Sequence, residues 1–327
     1  MARACRSHHP RYDTFVQERR RFERWAQALL ALTLLVILWG AYVRVTGSGA
    51  GCADHWPLCN GELIPRSPRL ETVIELTHRV TSGLAGLLAL AVTVLAWRRY
   101  PAGSPVRFWA GLALSLMLVE GAVGALLVKQ GLVADDASSW RALVVGLHLC
   151  NTFLLLGAQL MTLRVCRSER TLCLKGRGAR AAQVGALLLL VLLLGASGAV
   201  TALGDTLFPA GSLAEGLRQD LAPGAHFLVR LRVWHPLLAF AVGGVVVFWG
   251  QQLRARTGDS AVGFWAGALM LVYLAQLAAG SLNLMLLAPS GLQILHLLLA
   301  DLTWLVAVEL GFAALSERPA FASVQVP

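Results

Sequence analysis

Within "VIELTHRV" (residues 73–80) an acid, an imidazole and a guanidinium, Glu75, His78 and Arg79, crowd the mouth of an otherwise apolar run. Ionisable groups in such a place are costly unless something holds them. Three more histidines, His148, His235 and His296, sit near the starts of later apolar runs. Imidazoles on facing helices can clamp a metal-bearing ring, one nitrogen on each axial face. A carboxylate three residues from one of them, on the same helix face, can stabilise charge or handle a proton beside the metal. The plainer alternative for each histidine is a polar residue hydrogen-bonded to a neighbouring helix. For Glu75 it is an ion pair with Arg79 at i, i+4, worth about a few tenths of a kcal/mol if exposed.

The elements that must position these groups are apolar blocks near 26–46, 73–97, 107–128, 141–163, 182–203, 229–250, 262–287 and 291–315. Each is close to the ~20 residues needed to cross about 30 Å of hydrocarbon. Composition agrees: the 327 residues are 57% hydrophobic and 14% charged, with a mean hydropathy of +0.64, whereas soluble domains are nearer half apolar and about a quarter charged. The chain is predicted to be an all-α polytopic membrane protein with eight transmembrane helices and no soluble domain of ordinary size. The stretch from Ala26 to Val45 exceeds a signal-peptide core and reads as a retained first span.

A net charge of +10 reads as positive-inside topology rather than nucleic-acid binding, because the Lys and Arg lie in short segments beside the spans. "ERRRFER", "WRRYPAGSPVR", "RVCRSERTLCLKGRGAR" and "QQLRARTGD" are basic, while the intervening loops hold Asp54, Asp135, Asp136, Asp205, Glu215 and Asp220. Both termini are therefore expected on the cytoplasmic side, with the loop at 47–72 facing outward. The short basic tail running into span 1 favours a bacterial plasma membrane over a mitochondrial inner membrane.

The chain also repeats itself. Gly40, Val45, Thr46 and Gly49 recur as Gly195, Val200, Thr201 and Gly204 at an offset of 155, and Glu120 with Gly124 recurs as Gln276 with Gly280 at 156. His78 and His148 have counterparts in His235 and His296. The expected organisation is two pseudo-symmetric four-helix bundles: a tail at 1–25, an N-terminal half at 26–165, a linker at 166–181, a C-terminal half at 182–315 and a tail at 316–327. The four histidines then fall one in each even-numbered span, in its first turn or two, roughly 5–10 Å from the outer end. His8 and His9 belong to the tail, and His55 and His226 to outer loops.

One histidine per even span, symmetric across a duplication, favours two haem sites, one per half. Zinc suits the pattern less, with only two nitrogens converging per half. The halves differ: three residues before His78 stands Glu75, whereas three before His235 stands Arg232, and Pro236 replaces Arg79 as the next residue. One half has an acid beside its ligand and reads as the reactive site; the other has a cation suited to a propionate and reads as the electron-carrying site.

Cys52 and Cys59, in "GSGAGCADHWPLCNGELIP", have the same spacing as Cys166 and Cys173, so compartment decides between them. The outer pair is expected either as a disulfide staple or as a pair cycling between thiol and disulfide, and the inner pair as free thiols.

The run "GAYVRVTGSGAGCADHWPLCNGELIP", the "IELTHR" that follows it, the histidines of spans 4, 6 and 8 and the eight-span duplication together resemble the haem A synthase family. The resemblance covers nearly the whole chain outside its tails. It implies oxidation of the C8 methyl of haem O to a formyl group by successive hydroxylations. His78 and His148 would hold the substrate haem O, with Glu75 essential to its oxidation; His235 and His296 would ligate a resident haem b. Cys52 and Cys59 match the family's outer-loop pair, and Ala53 stands where members often carry proline. Arg79 and Arg232 would serve propionates or neighbouring groups. Expected partners are haem O, the haem O synthase that supplies it, an electron donor, membrane lipid and a further copy of the chain. The competing readings are a di-haem b-type, quinone-linked electron-transfer protein and a transporter built from duplicated halves.

Overall fold

The computed structural model describes residues 10–168 and 170–317. The tail residues Cys5, His8 and His9, and positions 318–327 of the C-terminal tail, lie outside the described residues. Nine α-helices are described: α1 (Pro10–Val45), α2 (Leu70–Arg99), α3 (Pro105–Lys129), α4 (Ser139–Arg167), α5 (Gly178–Leu207), α6 (Leu213–Leu221), α7 (Phe227–Arg256), α8 (Ser260–Met285) and α9 (Ser290–Leu315). All but α6 are long and apolar enough to cross a membrane. With no closed sheet among the described residues, the fold is that of an all-α polytopic membrane protein.

Local sequence explains where these helices begin. Ser104 Oγ accepts from the Val106 amide with Pro105 at the first helical position, Ser138 Oγ accepts from Arg141, and Asp259 Oδ1 accepts from Ala261. Each satisfies an orphan amide of a helix start. The helices extend past their apolar blocks: α2 begins at Leu70 rather than 73, because the polar "LET" is as compatible with a first turn as the apolar residues behind it.

α6 was not legible as an apolar block because it is amphipathic and only nine residues long. Ser212 caps its start: Ser212 Oγ accepts from the Glu215 amide, and Glu215 Oε2 reaches back to accept from the amide of Gly211, one residue before the cap. Leu213, Leu217 and Leu221 stay exposed along one face.

α1 to α4 pack neighbour on neighbour, as do α5, α7, α8 and α9. α4 and α9 are the most buried spans, and the main core cluster joins Phe153 and Leu156 of α4 to Trp304 and Leu310 of α9 and Leu187 and Val191 of α5. Other spans expose Leu, Val, Phe and Trp outward, as expected of a surface solvated by lipid. At the opposite end from Cys52, a two-residue antiparallel ladder pairs Thr171 with Glu317 and Leu172 with Ser316. It ties the linker to the end of α9, a local contact that no periodicity announces.

Candidate functional site

His78, His148, His235 and His296 lie eight, nine, eight and six residues past the starts of α2, α4, α7 and α9, about 9–14 Å along each helix. They sit slightly deeper than the block boundaries imply, because the helices start earlier. All four line one cavity of ≈ 2380 Å³, which Glu75 and Glu120 also line. A drug-sized ligand pocket is roughly 300–1,000 Å³, so this space admits more than one large ligand.

Three of the imidazoles rest against a helical glycine. A Cβ at Gly40 of α1 would stand 2.9 Å from His78 Cε1, one at Gly198 of α5 2.9 Å from His235 Cε1, and one at Gly280 of α8 2.7 Å from His296 Cε1. No side chain fits there without shifting the ring. The repeat at offset 155 pairs Gly40 with Gly195, but the structure gives the imidazole contact to Gly198, while Gly195 faces Phe153 of α4. Gly124 of α3 has open space where a Cβ would be.

The polar surroundings of the four rings differ. Ser197 Oγ lies 2.9 Å from His235 Nδ1, and Gln276 Nε2 lies 3.3 Å from His296 Nε2. His148 Nδ1 stands 3.4 Å from Glu120 Oε1. The Nδ1 atoms of His78, His148 and His296 are buried without a hydrogen-bond partner. Buried imidazole nitrogens normally find one.

Glu75 is 3% exposed. Its Oε1 accepts from Arg79 Nε at 3.0 Å and from Arg79 Nη2, and its Oε2 accepts from the Cys52 amide at 2.8 Å. Arg79 Nη1 donates in turn to the carbonyls of His55 (2.6 Å) and Leu58 (2.8 Å). The i, i+4 ion pair therefore exists, but as a buried pair docking a loop. Removing one partner of such a pair costs on the order of 3–5 kcal/mol rather than tenths.

The docked loop carries a Cys52–Cys59 disulfide, while Cys150, Cys166 and Cys173 are free thiols. Thr72 Oγ1 of α2 donates to the Gly51 carbonyl at 2.7 Å. A Cβ at Gly51 would fall 2.4 Å from the Glu71 carbonyl oxygen, so only glycine lets the loop lie this close to α2. His55 sits in this loop, with Nδ1 3.5 Å from Asp54. His226 caps α7 by accepting from the Leu228 amide, which is role enough for that residue.

Arg232 lines the same cavity and is held by Asp220 and by the Phe208 carbonyl. Two further charged residues join the site, neither of them a site candidate by sequence, although Glu120 belongs to the repeat. Arg44 of α1 donates from Nη1 to Ala202 O (2.8 Å) and Thr206 Oγ1 (2.7 Å) of α5, and from Nη2 to Gln293 Oε1 (2.9 Å) of α9. One guanidinium thus ties α1 to two helices from the other end of the chain. Glu120 of α3 is the second. The available signal for both is a charge inside an apolar block, which marks function or a partner by default.

The donor set constrains what can be held here. Among the described residues no three His, Cys, Asp or Glu converge as a protein-only metal site. His235 and His296 come instead as a facing pair. The His235 and His296 rings have centroids 6.4 Å apart and interplanar angle 85°. Two imidazoles on opposite sides of one metal ion, with metal–nitrogen bonds of about 2.0 Å, place their centroids roughly 6 Å apart. That spacing, the free buried nitrogens and the apolar cavity fit a metalloporphyrin with two axial histidines.

Comparison with known proteins agrees with this geometry. The model of the COX15-CtaA family, described as cytochrome oxidase assembly protein, matches residues 23–308. Two "Protoheme IX farnesyltransferase" proteins, from two strains of Thermus thermophilus, are each 51% identical over 295 residues, which is 90% of this chain and 48% of theirs. The chain thus spans about half the length of these relatives. A "Heme A synthase" of Bacillus mycoides is 42% identical over 112 residues, 34% of this chain and 36% of that protein. Breadth separates these matches: the Bacillus likeness is local, whereas the family model runs from α1 to α9, and by that match the chain belongs to the COX15-CtaA family of cytochrome oxidase assembly proteins.

Proposed function

We propose that the protein is a haem A synthase, a membrane oxidoreductase converting the C8 methyl of haem O to a formyl group by successive hydroxylations. The observation that carries this reading is one apolar cavity with two imidazole pairs, His78 with His148 and His235 with His296, and the buried acid Glu75 on its wall. Family membership and the Bacillus relatives' name support it. The halves at 26–165 and 182–315 divide the work: the first takes haem O as substrate, the second a resident haem b that relays electrons. The bound haem would supply the oxidising chemistry with dioxygen as the ultimate oxidant, which takes up the four electrons removed from the methyl and leaves as water (overall, methyl plus dioxygen gives formyl plus water).

This chain's residues do the rest. His78 and His148 would hold the substrate in the cavity whose wall Glu75 also lines. Both oxygens of Glu75 already accept hydrogen bonds, so it acts as a fixed negative charge stabilising positive charge that develops on the substrate. Gly40, Gly198 and Gly280 leave room for three of the rings. Arg79 and Arg232, which line the cavity, would offer propionates the donors that their present partners leave free. The apolar cavity accepts a farnesyl tail and excludes water.

The loop bearing Cys52 and Cys59 faces outward and both termini lie on the cytoplasmic side of a bacterial plasma membrane. The Thermus relatives, named for protohaem farnesyl transfer, match this chain with half of their length. That supports a haem O synthase as the partner that delivers substrate.

The test is reverse-phase chromatography of haems from membranes expressing the full chain alongside a haem O source. Haem A accumulates if the reading holds. Two bound haems with neither farnesylated would instead identify a di-haem electron carrier, and no haem at all a transporter.

A further inference from the structure

Glu120 is the acid that the proposed chemistry leaves unused. It sits on α3, side by side with α4, and its side chain is only 20% exposed. Its Oε2 accepts from Asn151 Nδ2 at 2.5 Å, and its Oε1 accepts from Thr152 Oγ1. Asn151 also donates to the Leu116 carbonyl of α3 at 3.0 Å. The carboxylate is thereby aimed, with Oε1 3.4 Å from His148 Nδ1, a few tenths of an ångström beyond ordinary N–H···O reach. That Nδ1 is buried and has no other partner.

The second half places its polar side chain differently. Gln276, on the helix preceding His296, brings its amide nitrogen to 3.3 Å from Nε2 of that ring, while His296 Nδ1 is buried without a partner. One imidazole of each half therefore has a polar side chain from the preceding span beside it, an acid in one case and an amide in the other. A ligating histidine whose far nitrogen donates to a carboxylate has its tautomer fixed and its basicity raised. An amide fixes orientation but adds no charge.

We infer that Glu120 is a positioning residue for His148: it accepts the Nδ1–H, leaves Nε2 as the nitrogen for iron, and gives the N-terminal haem site a lower reduction potential than the site opposite Gln276. This rests on the reading that His148 is an iron ligand. A Glu120 that only cross-links α3 to α4 would be replaced by glutamine without consequence for iron, since the amide oxygen still accepts from Asn151 or Thr152.

The experiment titrates the purified full-length protein with haem B and compares wild type with Glu120→Gln, Glu120→Asp, Gln276→Glu and His148→Ala. Binding is followed optically, axial geometry by low-spin EPR and each midpoint potential by redox titration. Expected for Glu120→Gln is a roughly 10–100-fold weaker affinity at the site that His148→Ala removes. Its ferric preference falls about tenfold, ~59 mV upward for one electron, and the other haem does not move. Glu120→Asp restores part of the shift, and Gln276→Glu, placed at Nε2 rather than Nδ1 of its histidine, does not lower the potential of the second haem. Unchanged affinity, g-values and potential in Glu120→Gln overturn the proposal, as does an equal shift of both haems. Retention of both haems by His148→Ala overturns the ligand reading beneath it. The two failures are distinct, because Glu120 is scored only against the haem that His148→Ala deletes.

Discussion

Around His78 and His148 the protein places Glu75 and Glu120; at the corresponding positions around His235 and His296 it places Arg232 and Gln276. The mechanical solution is nearly shared, with His78 and His235 each seated on a glycine of the preceding long helix. The electrostatics are not. What holds a planar metal ligand is room and two nitrogens. What reacts with it is decided by charge, and charge is where the two regions diverge. The loops above them diverge as well: a disulfide-closed loop docked by Glu75 covers one side, and the amphipathic α6, tied to α7 by Asp220 and Arg232, covers the other.

The hardest blow to this comparison is Glu75→Gln. If the acid is what distinguishes the reactive half, conversion of haem O to haem A in membranes falls by ~10²-fold or more, as for loss of one preorganised electrostatic group, measured by reverse-phase chromatography, and turnover at the wild-type rate removes Glu75 from the mechanism. Next comes a pair of ligand deletions. His235→Ala should deplete co-purified haem b, while His78→Ala should mainly impair turnover of haem O. Pyridine haemochrome spectra check this, and equal loss of both haems from both variants erases the division of labour.

The loops give a smaller effect. Cys52 and Cys59 should react with a maleimide only after reduction. The Cys52→Ser/Cys59→Ser pair should lose about 2 kcal/mol of loop stability, read as faster amide exchange over residues 47–69 with exchange at α6 unchanged. Labelling without reductant would remove the staple and with it this contrast between the two sides.

The eight spans and four histidines were legible because lipid demands long apolar runs, and an imidazole inside such a run has few innocent explanations. The partners of those histidines were less so. Glu120 and Gln276 stood out only as a repeat, since their distance to the rings depends on how α3 and α8 rotate against their neighbours. Arg44 is a charge inside the first apolar block, and only the packing of α1 on α5 and α9 shows that it bridges them. The Glu75–Arg79 pair was visible at i, i+4, but its burial is set by a loop more than a dozen residues upstream. α6 escaped because an interfacial helix needs one apolar face and no apolar block.

The finest discrimination comes from the glycines. Alanine at Gly40, Gly198 or Gly280 puts a methyl 2.7–2.9 Å from an imidazole carbon, closer than packing allows, so the ring must turn. Overpacking of this kind costs on the order of 1 kcal/mol at its lower end, about fivefold in haem affinity at 1.4 kcal/mol per decade. The low-spin EPR signal should broaden as the axial geometry relaxes. Gly124→Ala meets nothing within 4 Å and should leave affinity and spectrum unchanged. Because Gly124 and Gly280 occupy matching places in the sequence repeat, the difference between their alanine variants measures how differently α3 and α8 pack at those two places. A Gly124→Ala variant as impaired as Gly280→Ala would mean that the bound N-terminal half closes until it packs as tightly as the C-terminal one.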